Sequence, residues 1–162
     1  MAFGFRRTIQ AKGHDRFIVT LHENLRDAII AGCEEVRAEL DDDAIDEPGP
    51  HLRRLFPVAH ASDESIDRAY QELVHSDLVR TRREALETVM ATAHQDELDR
   101  ATLESWLSGL NIVRLVIGTR LDVSEDVLPE IEADDPNLPM WALYEFLGIL
   151  VGMIVDALAR TA

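Results

Sequence analysis

The chain has 162 residues, of which 31 are acidic and 16 basic, giving a formal net charge of −15. At this length we expect one domain with a hydrophobic core, since 46% of the residues are hydrophobic. The acidic excess argues against broad contact with a nucleic-acid backbone, which needs clustered lysine and arginine. Because Cys33 is the only cysteine, an intramolecular disulfide is excluded.

The negative charge is concentrated in two segments. Residues 21–47 and 121–162 each carry a net charge of −8, whereas the first 20 residues carry +3. Acidic runs are usually solvated, but a dense run also attracts basic partners over a long range. For Glu39–Glu47 and Asp122–Asp135 we therefore keep two interpretations, a solvated loop and a docking surface for a basic protein.

The start of the chain, MAFGFRRTIQ, has no apolar run after its arginines, so it does not predict a signal peptide. Together with the single thiol, this gives a cytoplasmic location as the expectation. Fifteen of the sixteen basic residues are arginine, which indicates a GC-rich bacterial genome.

The first 20 residues predict a β-hairpin. Apolar residues alternate with others over positions 3–9, as in a strand with one buried face. Segment 11–15 contains glycine and aspartate and predicts a turn, and Arg16–Val19 predicts the second strand. A hairpin of this size needs a surface to pack on, which the following helices supply.

The next segment predicts a first helix over 21–40. Thr20 and Glu23 have the spacing of a capping box, in which each side chain reaches the backbone amide of the other residue. Apolar residues recur every three or four positions, and Cys33 lies on that stripe. This position favours an inert core thiol over a reactive one.

Residues 41–61 predict a linker that packs on the bundle through Leu55–Phe56. Its Pro-Gly-Pro sequence at 48–50 excludes regular structure. Ser62 is a predicted N-cap for the helical region 63–93, because serine oxygens accept bonds from first-turn amides. The periodicity leaves open whether this region is one helix or two.

The C-terminal half predicts two more helices separated by an acidic loop at 122–138. The first of them starts near Asp99 or Thr102, and the second starts near Pro139, which suits a first helical turn. The last helix is apolar on nearly all sides over 140–158, but its uninterrupted apolar run is too short to cross a membrane. A helix of this kind is either central or covered by a second subunit, so a homodimer through it is one expectation.

Two motifs have spacings known from metal enzymes. Glu72-Leu73-Val74-His75 matches half of a di-iron motif, whose second copy is missing from the sequence. Glu84 and Glu87 could bind magnesium from one helix face, as in helical nucleotide pyrophosphohydrolases. The second acid pair that such a site needs would be Asp96 and Asp99. Exposed faces are the simpler interpretation, so no metal or cofactor is predicted. A metal-dependent hydrolase and a purely structural dimer module stay as the alternative functions.

Arg114 and Glu145 each lie in an otherwise apolar helical segment. Burial of either charge would require a partner. We predict that they pair with each other or share a polar network with Asn111.

The densest basic cluster is Arg80, Arg82 and Arg83. Acids of the same helix, such as Glu84 and Glu87, are its expected partners. A bound anion or an acidic protein is the alternative.

Residues 106–121, WLSGLNIVRLVIGTRL, resemble a signature of small actinobacterial proteins. That family was catalogued as a domain of unknown function and is now associated with oxidative-stress regulation under the name AosR. The segments RLFP at 54–57 and YEFLG at 144–148, and the order of elements, extend the resemblance along nearly the whole chain. The chain departs from the family pattern at Val58 and Ile112, where an acid is usual.

The predicted elements make a mainly α domain over 1–162, a four-to-five-helix bundle with a short N-terminal β-hairpin. The resemblance implies a non-enzymatic regulatory or adaptor protein that acts on transcription through protein–protein binding. It points to a sigma factor or another RNA polymerase component as partner, with direct DNA binding not expected. The residues that it singles out, as structural or partner-binding, are Trp106, Leu107, Asn111, Arg114, Gly118, Thr119, Arg120 and Glu145. A redox role for Cys33 would need a sulfenic acid or an intersubunit disulfide, and both require exposure.

Overall fold

The computed structural model describes residues 8–42, 64–123 and 130–162. The predicted strand residues before Thr8, the Leu55–Phe56 anchor and the Ser62 cap lie outside these ranges. The described part of the chain contains, in order, β1 (Ile9–Lys12), β2 (Arg16–Val19), α1 (Glu23–Asp42), α2 (Glu64–Thr92), β3 (Glu97–Asp99), α3 (Arg100–Arg120) and α4 (Leu138–Arg160). The mainly α fold with an N-terminal hairpin is thereby confirmed.

The sheet is built around β2, which pairs antiparallel with β1 on one side and with β3 on the other. Phe17 lies opposite Ala11 of β1 and Leu98 of β3, and it is completely buried. Gly13 adopts a φ of +77° in the hairpin turn, a conformation that favours glycine. The sequence did not predict β3, because three residues before a helix are too few to show a strand period.

Helix α3 contacts each of the other three helices and the sheet, so it occupies the centre of the fold. It begins directly after Asp99, which is one of the two starts predicted from the sequence. The Asp99 carboxylate caps the helix by accepting a 2.8 Å hydrogen bond from the Thr102 amide. Hydrogen bonds from the Thr102 side chain and backbone hold the pKa of Asp99 below its usual value. The buried residues of α3 are Leu103, Trp106, Gly109, Leu110, Ile112, Val113, Val116, Ile117 and Gly118.

The predicted capping box at Thr20 and Glu23 is wrong. Helix α1 begins at Glu23, and the His22 side chain accepts a hydrogen bond from the Asn24 amide through Nδ1 at 3.2 Å. The Thr20 amide instead donates to the Thr8 carbonyl, at 2.8 Å. Thr20 therefore extends the hairpin, and the His22 side chain accepts the first-turn hydrogen bond that was predicted for Thr20.

Arg26, one turn into α1, is 6% exposed and uses all five of its N–H donors. Nε donates to the Leu21 carbonyl, Nη1 to the carbonyls of Ala93 and Gln95, and Nη2 to the Val19 carbonyl and to Asp96 Oδ1. The five donor–acceptor distances lie between 2.8 and 3.1 Å. This side chain therefore joins the end of β2, the start of α1 and the α2–β3 connection.

The region 63–93, left open as one helix or two, is a single continuous helix from Glu64 to Thr92. In its basic cluster, Arg80 pairs with Asp77 at 3.2 Å, and Arg83 pairs with Asp41 of α1. The predicted partners in the Glu84-x-x-Glu87 motif are exposed instead. Arg83 therefore links two helices rather than two residues of one helix.

Helix α4 packs on α3 and β1, and Pro139 lies in its first turn as predicted. Among the described helices it is the one long and apolar enough to cross a membrane by length and composition, with a mean hydropathy of 1.9 over its most apolar window. Only 28% of that window is buried, so α4 is not the central helix. One of its faces is left without a cover in the described chain.

Replacing Arg26 with methionine should lower the free energy of unfolding by roughly 3 kcal/mol or more, because buried carbonyls would lose their donors. Arg37→Met on the same helix is the matched control, since Arg37 makes no described ion pair, and we expect a change within about 0.5 kcal/mol. Urea denaturation followed by circular dichroism measures both. Equal losses in the two variants would contradict the assignment of Arg26 as the anchor.

Candidate protein-binding groove

A mainly apolar groove of about 380 Å³ lies between α1, the C-terminal half of α3 and the start of α4. Gly32 on α1 lets α1 and α3 approach closely at the floor of the groove. At Gly32, an added Cβ would lie 3.1 Å from Val113 Cγ1 and 4.0 Å from Leu143 Cδ2. The groove is lined mainly by Ala28, Ala31, Gly32, Val36, Val113, Ile117, Pro139, Met140 and Leu143, with Glu35, Arg120, Pro136 and Asn137 as further lining residues.

Arg120 forms part of the groove wall at the C-terminal end of α3, where a cation is favoured by the helix dipole. Its side chain is 15% exposed and pairs with two carboxylates of α1, Glu35 at 2.7 Å and Glu39. One guanidinium therefore meets two acids, which leaves this end of the groove with a net negative charge. The same pairs fix α3 against α1.

An acidic rim leads into the groove from the segment before α4. Glu130, Glu132 and Asp134 are exposed and make no ion pair with the described residues. Asp135 differs from them, because its carboxylate accepts a 2.8 Å hydrogen bond from the Asn137 amide. Pro136 and Asn137 line the groove, so the rim precedes the groove wall directly along the chain.

The residues singled out by the family resemblance are spread around α3 rather than gathered in one site. Trp106 is buried and donates through Nε1 to Thr92 Oγ1 at 2.8 Å, which ties α3 to α2. Gly118 is buried, Leu107 and Asn111 are half-buried, and Thr119 donates through its hydroxyl to the Leu115 carbonyl at 3.0 Å. Among these positions, only Arg120 lines the groove.

The predicted pairing of Arg114 with Glu145 or Asn111 does not occur among the described contacts. The Arg114 guanidinium lies over the Tyr144 ring, 4.8 Å from its centroid, and Nη2 lies 3.3 Å from the Tyr144 hydroxyl. Tyr144 of α4 faces α3 through this contact. Successive residues of a helix point about 100° apart, so Glu145, the next residue, points away from α3. Glu145 is accordingly exposed.

Cys33 is completely buried in the core, as its position on the apolar stripe predicted. Burial, and to a smaller degree the charge of Glu34, raises the pKa of the thiol to about 12. A thiol in an unfolded chain ionises near pH 9, so the fold should lose stability as the pH rises from about 9 to 12. The reactive thiolate is therefore suppressed in the native state.

The acids of the magnesium hypothesis are not brought together. Asp96 binds Arg26, Asp99 caps α3, and Glu84 and Glu87 face solvent. Within the described ranges no group of three or more histidine, cysteine or acidic side chains is placed to hold a metal ion. The four acids of this hypothesis therefore do not form one magnesium site.

Sequence reasoning missed Arg26, the acidic pair that binds Arg120, and the groove itself. A signal for Arg26 was present, because it lies three residues before Ile29 and so on the apolar stripe of the first helix. A cation on such a stripe requires a set of buried acceptors. The groove had no comparable signal, since it depends on the relative placement of three helices.

The fold and the groove define a small helical domain with a mainly apolar surface groove. The family model described as "Domain of unknown function (DUF2017)" matches residues 5–158, and the chain belongs to that family. It is also similar to a Mycobacterium leprae (strain TN) protein whose name assigns it provisionally as the oxidative stress regulator AosR, with 24% identity over 150 residues. The match covers 82% of this chain and 66% of that relative, so the chain spans slightly less than two thirds of the relative's length. No solved structure matches the chain. The resemblance of the chain to the AosR-like family is thereby confirmed.

Alkylation should distinguish a core thiol from a redox sensor. From a pKa of about 12, the thiolate fraction of Cys33 at pH 8 is on the order of 10⁻⁴. We expect native protein at pH 8 to react with iodoacetamide at least about 100-fold more slowly than the same protein in denaturant, as followed by mass spectrometry. Similar rates in the two states would show that the thiol is accessible.

Proposed function

We propose that this chain is a non-enzymatic regulatory adaptor that binds a protein of the transcription machinery, a sigma factor or another RNA polymerase component, in the cytoplasm. The observation that carries the proposal is the apolar groove beside the acidic rim. Support for a regulatory role comes from the M. leprae relative, which is named as a regulator and not as an enzyme.

The groove fits a basic amphipathic helix of the partner. Such helices insert apolar side chains one turn apart into a groove, and a volume of about 380 Å³ holds a few of them. Lysine or arginine on the flank of that helix would meet Glu130, Glu132 and Asp134, which speeds association by long-range attraction. The same carboxylates repel nucleic-acid phosphates, which disfavours direct DNA binding.

The buried thiol constrains how an oxidative signal would reach this adaptor. Cys33 would have to leave the core to be oxidised, so the response to peroxide is assigned to the partner and not to this chain. On this proposal, peroxide changes the amount of complex by acting on the partner and not by oxidising Cys33 of this chain.

Filling the groove should abolish partner binding without unfolding the domain. Ala31 is exposed and lines the groove, so Ala31→Tyr should block it. Ala91→Tyr, at an exposed alanine of α2 away from the groove, is the matched control. In affinity capture from native lysate with quantitative mass spectrometry, we expect wild type and Ala91→Tyr to enrich a sigma factor or RNA polymerase subunit. For Ala31→Tyr we expect an enrichment at least about tenfold lower.

Raising the salt concentration in the same experiment should lower the enrichment, because salt screens the attraction between the acidic rim and basic residues of the partner. Capture of the same polymerase components by the Ala31→Tyr variant would contradict the groove assignment. Magnesium-dependent nucleotide hydrolysis by the purified chain would instead favour the enzyme alternative.

A further inference from the structure

Helix α4 presents a largely apolar strip to solvent on the side away from the groove, and Glu145 and Asp156 are the exposed acids on this strip. Leu138, Ile149 and Val155 are 38%, 46% and 46% exposed. Gly152 lies on the same strip, and a Cβ added there would meet nothing within 4 Å. Such a strip marks an interaction surface, and the glycine lets another helix approach closely.

Two opposite charges, one on this strip and one at its edge, have no ionic partner among the described residues. Glu145 is exposed on the strip itself, one turn before Ile149. Arg114 reaches the edge of α4 beside Gly148, where an added Cβ would lie 3.1 Å from Arg114 Nε. That Nε is buried and has no hydrogen-bond acceptor in the described chain. Its guanidinium contacts Tyr144 but no carboxylate.

We propose that the strip is covered by α4 of a second copy of this chain, in a two-fold dimer in which Arg114 of each copy pairs with Glu145 of the other. A two-fold interface brings residue i to residue j of the partner and residue j to residue i, so one geometry forms both pairs. Within one chain the two side chains stay apart because Glu145 turns away from α3. A second copy thus supplies apolar cover and both missing counter-charges together.

A membrane is a less suitable cover for the same helix. Crossing a bilayer would place Glu145 and Asp156 in or near the hydrocarbon, where an unpaired carboxylate is strongly disfavoured. The groove uses Pro139, Met140 and Leu143 on another side of α4. The dimer therefore leaves the groove open, and the proposal stands independently of the proposed function.

Charge reversal tests the reciprocal pair. We expect analytical ultracentrifugation to show wild type as a dimer, and Arg114→Glu and Glu145→Arg as monomers, with the dissociation constant raised on the order of 100-fold in each. Mixing the two variants should restore a dimer, because the mixed dimer again has one opposite-charge pair at each of the two positions. Glu104→Arg on α3 makes the same charge change at another exposed acid and should stay dimeric.

Circular dichroism melts show whether Arg114→Glu still folds. If it does not fold, Glu145→Arg decides, since it should be monomeric whereas Glu104→Arg should be dimeric. If it does fold, the double variant Arg114→Glu/Glu145→Arg should be dimeric again. A monomeric wild type at all concentrations would overturn the proposal, and so would a monomer that floats with phosphatidylcholine vesicles. A dimer that survives both single reversals, or a mixture that stays monomeric, would overturn it as well.

Discussion

A single buried guanidinium, that of Arg26, holds together the part of the fold where strands and helices meet. Backbone carbonyls at the end of β2 and at the end of α2 point into the same small space, where carbonyls need donors. One planar side chain with five donors satisfies them and also binds Asp96. This fixes the connection into β3, and α3 follows β3 directly, so the placement of the central helix depends on that cluster.

Arginines on α3 also tie it to the hairpin, to α4 and to α1. Arg100 donates to the His14 carbonyl in the hairpin turn and to the Thr161 carbonyl after α4, and it lies 5.6 Å from the Phe17 ring centroid. Arg114 contacts α4 and Arg120 contacts α1. Lysine has one compact ammonium group and could not contact several separate groups at once as the planar guanidinium does. The predominance of arginine among the basic residues therefore has a structural use at these positions.

The sequence predicts the elements of this fold better than their contacts. Asp99 and Pro139 mark helix starts correctly because a cap and a first-turn proline act on local backbone groups. The start of α1 was misplaced because Thr20 and His22 can both satisfy first-turn amides, and the sheet takes Thr20. The Arg114–Glu145 pairing failed for a different reason, since it depends on which helix face meets α3. The groove depends on three helices at once, which a one-dimensional pattern does not encode.

The count of 31 acidic residues overstates what a partner meets, because some of these acids are paired with arginines inside the fold. Arg120 holds Glu35 and Glu39, and Arg83 holds Asp41, so these acids are partly neutralised. The charge left free in the described residues is strongest at the rim of the groove, over 130–134. The apolar strip of α4 lies on another side of that helix. Dimerisation through the strip would present two grooves from one particle, and two linked sites bind a partner with paired basic helices more tightly than one site can.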